Sequence, residues 1–246
     1  MSRIVVDNLM INYTDEGKGS ALICLHGWMH DTESYAMLTD ELSNEYRLVA
    51  LDLPNFGKSQ ESDDIYTLDD YGEFLASFIK KVELEDYSLV GHSMGGQIII
   101  NAIAKGYVKP QKLILIASAG IRDSKGVYKR SLKLFSKSLK HVIPKRIKKE
   151  LYDKMGSDYN PDLSDIHKKI INQVLSTDIL QEAKAISIPT LLIYGSEDTS
   201  TPLWMGKKLN DTINGSKLKV VQGGNHWVHQ TSSGQVALYI KEFIDV

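Results

Sequence analysis

Short apolar runs rich in β-branched residues alternate with helical patterns along most of this 246-residue chain. Eight such runs occur, at residues 3–6, 9–13, 21–25, 47–51, 87–90, 112–117, 190–194 and 217–221. The later runs are almost continuously apolar, which is typical of strands covered on both faces. Strands that alternate with helices predict a mostly parallel sheet. We therefore predict an α/β fold in which helices flank an eight-stranded, mostly parallel sheet.

The spacing of residues within and between these runs refines that prediction. Only Asp7-Asn8 joins the first two strands, which is too short for a parallel crossover and predicts an antiparallel hairpin. Apolar residues in 68–82 recur at helical spacing, and further helices are predicted at about 94–105 and 233–244.

The middle third of the chain has a different character. Residues 121–186 carry 15 Lys and Arg against 8 Asp and Glu, whereas the whole chain has a net charge of −2. This stretch lacks strand runs and shows helical patterns at 128–143, 145–155 and 163–182. We predict a helical cap at 119–186, inserted after the sixth strand into a core made of 1–118 and 187–246.

The basic residues of the predicted cap concentrate in 129–149, which holds nine Lys and Arg. We interpret this run mainly as a solvated helix face. Attraction of acidic substrates or of an anionic membrane surface is the alternative interpretation.

Composition excludes several classes of protein. The net charge of −2 argues against nucleic-acid binding. The sequence contains no stretch of 18 apolar residues, so we expect neither a membrane span nor stable membrane anchoring. The one cysteine, Cys24, allows no intramolecular disulfide and suggests no cysteine-based metal site. The first residues contain no apolar run typical of a secretory signal, so we expect a cytoplasmic protein.

The pentapeptide Gly91-His92-Ser93-Met94-Gly95 lies between a predicted strand and a predicted helix. A serine in such a sharp turn projects above the sheet, and the flanking glycines omit side chains that would clash there. The helix that follows places free N–H groups near a developing negative charge. This context favours Ser93 as a nucleophile over a glycine-rich turn with a capping serine.

A serine hydroxyl needs a base, and the base needs an acid that fixes its tautomer. His226 lies in a loop after the last strand, with His229 as a rival three residues later. Asp198 directly follows the strand 190–194, with the adjacent Glu197 as its rival and helix capping as its alternative role. Ser93, Asp198 and His226 are the predicted catalytic residues.

An oxyanion formed at Ser93 requires N–H donors. We predict the backbone amide of Met94, the residue after the nucleophile, and that of Trp28, which follows the third strand. This chemistry requires neither a metal nor an organic cofactor.

These residues together resemble the α/β-hydrolase superfamily over nearly the full chain. The matching landmarks are His26-Gly27, the loop at 52–59, the pentapeptide around Ser93, the strand and loop at 189–198, and Asn225-His226. The resemblance implies an α/β-hydrolase fold with a helical cap, a Ser93–Asp198–His226 triad, and Trp28 and Met94 as oxyanion donors. Two glycines usual in the family are replaced by Asn55 and Asn225, and asparagine tolerates positive φ better than most residues.

The resemblance is more specific for the fold than for the substrate. Serine at position 93 disfavours relatives with an aspartate nucleophile. We predict a carboxylesterase-like enzyme that acts on a small-molecule ester. One alternative is hydrolysis of a carbon–carbon bond in a vinylogous diketone. The Ser-Met-Gly-Gly pattern suggests it, although such enzymes usually carry Asn where His92 stands. The other alternative is a non-catalytic ligand sensor.

Overall fold

A computed structural model describes residues 1–122 and 164–245 of the chain. Its eight strands form one sheet in the order β1-β2-β4-β3-β5-β6-β7-β8. The strands are β1 (Ser2–Val6), β2 (Leu9–Gly17), β3 (Ser20–Leu25), β4 (Tyr46–Leu51), β5 (Tyr87–His92), β6 (Leu113–Ile116), β7 (Thr190–Gly195) and β8 (Lys217–Val221). The predicted α/β fold with an eight-stranded, mostly parallel sheet is confirmed.

The hairpin at the sheet edge has the geometry that its two-residue turn requires. Asp7 and Asn8 have φ of 48° and 66°, and two successive positive φ values match the right-handed twist of a tight hairpin. β1 pairs antiparallel with β2, and β2 pairs antiparallel with β4. From β4 to β8 every neighbouring pair is parallel.

Helices cover both faces of the sheet. They are α1 (Ala36–Leu42), α2 (Leu68–Lys81), α3 (Met94–Ala104), α4 (Asp165–Ser176), α5 (Leu180–Lys184), α6 (Leu203–Thr212), α7 (Val228–Thr231) and α8 (Ser233–Ile244). A 3-10 turn, Thr32–Tyr35, precedes α1.

The alternation of side chains along each strand produces two apolar layers. In β3, Ile23 and Leu25 pack in the layer that contains α2 and α3, whereas Leu22 and Cys24 pack in the layer that contains α1 and α8. Because both faces are buried, every second residue must be apolar on each face, which explains the continuous apolar runs in the sequence.

The prediction of one continuous helix over 163–182 is wrong, because the structure has two helices there. Ser164 caps α4, and Thr177 is extended with φ of −91° and ψ of 128°, which ends that helix. The Asp178 carboxylate then accepts the Leu180 N–H at 2.9 Å, where α5 begins. Thr and Asp favour such local hydrogen bonds over a helix interior.

Three helices, α1, α6 and the short α7, were not predicted from the sequence because each is short or only weakly periodic. The cap helices predicted at 128–143 and 145–155 lie outside the described residues, and so does the basic run at 129–149. The cap boundaries at 119 and 186 stay a prediction.

The returning end of the predicted cap contacts the C-terminal edge of the sheet at two places. The buried Gln97 side chain on α3 donates to the carbonyls of Val174 at 3.1 Å and Thr177 at 3.3 Å. His167 on α4 donates from Nε2 to the Asn55 carbonyl at 2.8 Å. Helix α4 is therefore attached to the helix that follows Ser93 and to the loop that follows β4.

The loop after β4 is organised around the fully buried carboxylate of Asp52. This carboxylate accepts from the Thr32 N–H at 2.7 Å, the Lys58 N–H at 2.8 Å and the Asn12 side-chain amide at 2.9 Å. Gly57 has φ of +58°, and a Cβ there would lie 2.4 Å from Asp52 Oδ2. Asp52 thus joins β2, the loop after β3 and the loop after β4.

We expect Asp52→Ala to lower the free energy of unfolding by about 3 kcal/mol or more, because it leaves three buried donors without an acceptor. Urea unfolding of the purified variant measures this loss. Asp31→Ala is the matched control: among the residues that the structure describes, its carboxylate accepts only the exposed Glu33 N–H, so we expect a loss of about 1 kcal/mol or less. Equal losses in the two variants would contradict the role assigned to Asp52.

Candidate active site

Ser93 occupies a strained turn between β5 and α3. Its backbone has φ of 51° and ψ of −113°, which is unusual for a residue other than glycine. Its N–H donates to the Ile116 carbonyl at 3.1 Å, and its own carbonyl accepts the Ala119 N–H at 3.1 Å. The backbone at the end of β6 therefore supports the turn from one side.

The two glycines around Ser93 are required by close approaches of backbone. A Cβ on Gly91 would lie 2.6 Å from the Gly96 backbone, and a Cβ on Gly95 would lie 2.3 Å from the Leu25 carbonyl oxygen. No side chain fits at these distances. The glycines therefore allow α3 to begin directly against the end of β3, as a strand-to-helix turn with an exposed nucleophile requires.

Asp198 and His226 form a buried hydrogen-bonded pair. His226 Nδ1 lies 2.8 Å from Asp198 Oδ2, and both residues are buried. Since an ionised carboxylate only accepts, Nδ1 carries the proton and Nε2 is left as an acceptor. The other carboxylate oxygen accepts the N–H groups of Ser200 and Thr201, each at 2.8 Å. Asp198 thus caps a turn and orients an imidazole at once.

The two rival residues from the sequence lie elsewhere. Glu197 is exposed, and its backbone N–H donates to the Gly224 carbonyl. His229 is fully buried, but neither of its ring nitrogens has a hydrogen-bond partner in residues 1–122 or 164–245. The geometry therefore favours Asp198 over Glu197 and His226 over His229.

His92, the residue directly before Ser93, contacts His226. The Nε2–H of His92 donates to the His226 carbonyl at 3.0 Å, and the two imidazole rings have centroids 4.8 Å apart. Within the described residues, Ser93 Oγ and His226 share no hydrogen bond. Contacts of this kind often tighten only when substrate binds.

The loop after β3 runs directly beside Ser93. A Cβ on Gly27 would lie 3.2 Å from Ser93 Cβ, so the backbone leading to Trp28 passes close to the nucleophile. Trp28 is buried and packs edge-on against Phe56, with ring centroids 5.2 Å apart. Met94 begins α3 and is also buried. The structure thus places both predicted oxyanion donors in segments that adjoin Ser93.

Thr201 was not predicted as a site residue. Its hydroxyl lies 2.8 Å from Asp198 Oδ2, 3.1 Å from His226 Nδ1 and 2.9 Å from the Ala117 carbonyl oxygen. The only sequence signal is a hydroxyl residue three positions after Asp198 and directly before Pro202. A hydroxyl at that spacing is common in turns, so it does not by itself indicate a site.

The site is surrounded by uncharged imidazoles. Burial lowers the pKa of His92 well below its ordinary value, that of His30 to about 4 and that of His229 to about 3. Burial also lowers the pKa of His26, which donates from Nδ1 to the Gly27 carbonyl at 2.7 Å and accepts the Leu53 N–H at 3.0 Å. These rings therefore place no positive charge beside His226 at neutral pH.

Other chemistry has little support in the part of the chain that the structure describes. Cys24 is buried, and burial raises the pKa of its thiol, which disfavours a thiolate nucleophile. Across residues 1–122 and 164–245, no three His, Cys, Asp or Glu side chains are grouped to hold a metal ion. In the same residues no helix has the length and apolarity needed to cross a membrane.

Comparison with known proteins gives a consistent result. The profile of a family described as the "Alpha/beta hydrolase family" matches residues 22–237. The uncharacterized hydrolase YugF of Bacillus subtilis (strain 168) is 25% identical, over 98% of this chain and 97% of that protein. The pimeloyl-[acyl-carrier protein] methyl ester esterase of Legionella pneumophila (strain Corby) is 26% identical, over 76% of this chain and 79% of that protein.

A solved structure resembles the whole chain. The meta-cleavage product hydrolase CumD of Pseudomonas fluorescens IP01, in a mutant form complexed with acetates, superimposes with a TM-score of 0.78 at 20% identity. The match covers 100% of this chain and 97% of that one, which shows a shared fold.

The buried histidines predict a stability that depends on pH. An unfolded histidine binds a proton near pH 6.5, whereas folded His229 binds one only near pH 3, so stability is present above pH 6.5 and is lost as the pH falls below it. From pH 7 to pH 5 this one residue should lower the free energy of unfolding by about 2 kcal/mol. Urea unfolding at both pH values measures the loss.

His229→Leu is the test of that assignment. We expect the difference between pH 7 and pH 5 to shrink by about 2 kcal/mol in this variant, because the histidine that titrates in the unfolded chain is gone. An unchanged difference would show that His229 does not contribute to it.

Proposed function

The chain belongs to the alpha/beta hydrolase family, and on that premise we propose that it is a serine hydrolase that cleaves carboxylic esters through an acyl-enzyme on Ser93. The observation that carries this proposal is the buried contact of 2.8 Å between His226 Nδ1 and Asp198 Oδ2. It leaves Nε2 as a free base at the C-terminal edge of the sheet, where Ser93 also lies.

In the proposed reaction, Ser93 Oγ attacks the ester carbonyl carbon while His226 Nε2 takes the hydroxyl proton. Asp198 stabilises the imidazolium that forms. The tetrahedral intermediate collapses, the C–O bond to the alcohol breaks, and His226 gives its proton to the leaving alkoxide. A water molecule then attacks the acyl-enzyme by the same route, which releases the carboxylic acid and restores Ser93.

The negative charge on the carbonyl oxygen needs donors that are in place before the reaction begins. We assign the backbone N–H groups of Trp28 and Met94 to this role, because both segments adjoin Ser93. The dipole of α3, which begins at Met94, adds to the same effect. The chemistry is complete without a metal or an organic cofactor.

The esterase named among the relatives supports ester cleavage over other hydrolytic reactions, since it aligns with most of this chain. The alternative is carbon–carbon bond hydrolysis of a vinylogous diketone, which the Ser93-Met94-Gly95-Gly96 pattern favours. His92 weighs against that alternative, because such enzymes usually carry Asn there. A non-catalytic ligand sensor is the third hypothesis, and the buried Asp198–His226 pair weighs against it.

We further propose a small-molecule ester as the partner of this site, without nucleic acid or stable membrane attachment. A cytoplasmic location is part of the proposal, because a single buried cysteine is usual where disulfides do not form.

We expect Ser93→Ala to lower the turnover of p-nitrophenyl esters by at least about 10³-fold, since only binding and oxyanion stabilisation remain. Ser88→Ala is the matched control, because Ser88 is a buried serine on β5, the strand that leads to Ser93. This control should keep turnover close to that of the wild type. A Ser93→Ala variant with wild-type turnover would rule out the acyl-enzyme mechanism.

Two measurements separate the three hypotheses. An esterase turns over p-nitrophenyl esters faster than a ring-cleavage diketone, and a carbon–carbon hydrolase shows the reverse order. A fluorophosphonate probe should label the wild-type chain and Ser88→Ala but not Ser93→Ala. Absence of labelling in the wild type would favour a sensor.

A further inference from the structure

Thr201 is placed where it contacts both the proposed acid and the proposed base. It is 4% exposed, and its hydroxyl oxygen lies 2.8 Å from Asp198 Oδ2 and 3.1 Å from His226 Nδ1. The backbone N–H of the same residue donates to the other carboxylate oxygen at 2.8 Å. One residue therefore contacts both oxygens of Asp198 and the ring of His226.

The same hydroxyl also reaches the backbone that supports Ser93. It lies 2.9 Å from the carbonyl oxygen of Ala117, a residue with φ of 46° just after β6. Two residues close to Ala117 in the chain bond to the backbone of Ser93: Ile116 accepts its N–H, and Ala119 donates to its carbonyl. Thr201 thus connects the segment under the nucleophile to the Asp198–His226 pair.

A hydroxyl has one proton, so Thr201 can donate to only one of its two acceptors at a time. The ionised carboxylate is the stronger acceptor, which favours donation to Asp198 Oδ2 while His226 is neutral. When His226 is protonated, its Nδ1–H draws more strongly on Oδ2. The hydroxyl can then turn its proton to the Ala117 carbonyl and present a lone pair to Nδ1–H.

We propose that Thr201 is a positioning residue of the hydrolytic reaction, whose hydroxyl donates to Asp198 when His226 is neutral and to Ala117 when His226 is protonated. This inference rests on the proposed function of Ser93, Asp198 and His226. By donating to the carboxylate, the hydroxyl shares Asp198 Oδ2 with the imidazole in the free enzyme. By turning away, it leaves the carboxylate available to the imidazolium in the transition state.

The groups that face His226 from the surrounding elements decide whether its protonation can be observed separately. They are Asp198 after β7, His92 on β5, His30 in the loop after β3, and His229 on α7. Burial lowers the pKa of His30 to about 4, that of His229 to about 3 and that of His92 well below its ordinary value. A movement of the acid limb of kcat/KM between pH 5 and pH 8 would therefore not come from these three histidines.

The test compares Thr201→Val, which replaces the hydroxyl with a methyl group, with Thr201→Ser, which keeps it. The substrate is p-nitrophenyl acetate, followed from pH 5 to pH 8 at a wavelength that does not depend on nitrophenol ionisation. We expect Thr201→Val to lower kcat about tenfold with little change in KM, because the His226 ring loses the 3.1 Å contact that helps to hold it in position.

The pH profile distinguishes a positioning role from a merely structural one, because a merely structural role would leave the acid limb of kcat/KM unchanged. In Thr201→Val the carboxylate loses a donor and holds the protonated imidazole more firmly, so the acid limb should move to higher pH by about half a unit or more. Thr201→Ser should keep the wild-type profile. Either a Thr201→Val limb that superimposes on the wild type, or a Thr201→Ser limb that shifts as far as Thr201→Val, would overturn the proposal.

Two controls keep the result interpretable. Thermal unfolding shows whether each variant is folded. If Thr201→Val does not fold, Thr201→Ala takes its place, because it removes the hydroxyl without adding a methyl group beside the carboxylate. It is then compared with Thr201→Ser in the same way. Ser93→Ala separates the two levels of the argument. If it stays active, the proposed function fails; if it is inactive while the acid limb does not move in the hydroxyl-free variant, only the role of Thr201 fails.

Discussion

The close approach of α3 to the end of β3 is the constraint on which the site depends. A Cβ on Gly95 would lie 2.3 Å from the Leu25 carbonyl oxygen, closer than any side chain permits, and Ser93, two residues earlier, has a positive φ of 51°. The strain is sustained because β5 and α3 are both buried and because the end of β6 bonds to Ser93 on the other side. A rigid, close-packed sheet thus fixes the position of the Ser93 hydroxyl.

Several polar side chains of the site bond to backbone groups. His92 bonds to the carbonyl of His226, His26 bonds to the backbone on both sides of its ring, and Asp198 receives two backbone N–H groups. The tautomers of His92 and His26 follow from the backbone carbonyls to which their ring N–H groups donate. Burial keeps the outer imidazoles uncharged, so the one buried carboxylate beside His226 has no competing cation among the described residues around it.

Much of this arrangement could be predicted from the sequence, because parallel strands buried on both faces leave a strong apolar signal. All eight strands and the Asp7-Asn8 hairpin follow from that signal and from the length of the connections. The order of Ser93, Asp198 and His226 after successive strands likewise predicts that they meet at one edge. The short helix α1 and the break between α4 and α5 depend on tertiary packing and on local bonds of Thr177 and Asp178, which periodicity does not report.

The contacts of Thr201 and His92 could not be predicted for a related reason. Each depends on a distance across elements that are far apart in the sequence: Thr201 lies 84 residues from Ala117, and His92 lies 134 residues from His226. A sequence pattern identifies a residue type at a turn, but the acceptor that this residue finds is set by how the strands are ordered.

The burial of Cys24 within β3 has a practical consequence. The chain has no other cysteine, and this one is 1% exposed between two packed layers. A cysteine introduced on the surface would therefore be the only thiol open to a maleimide dye, so single-site fluorescent labelling of this protein needs no prior removal of the native residue.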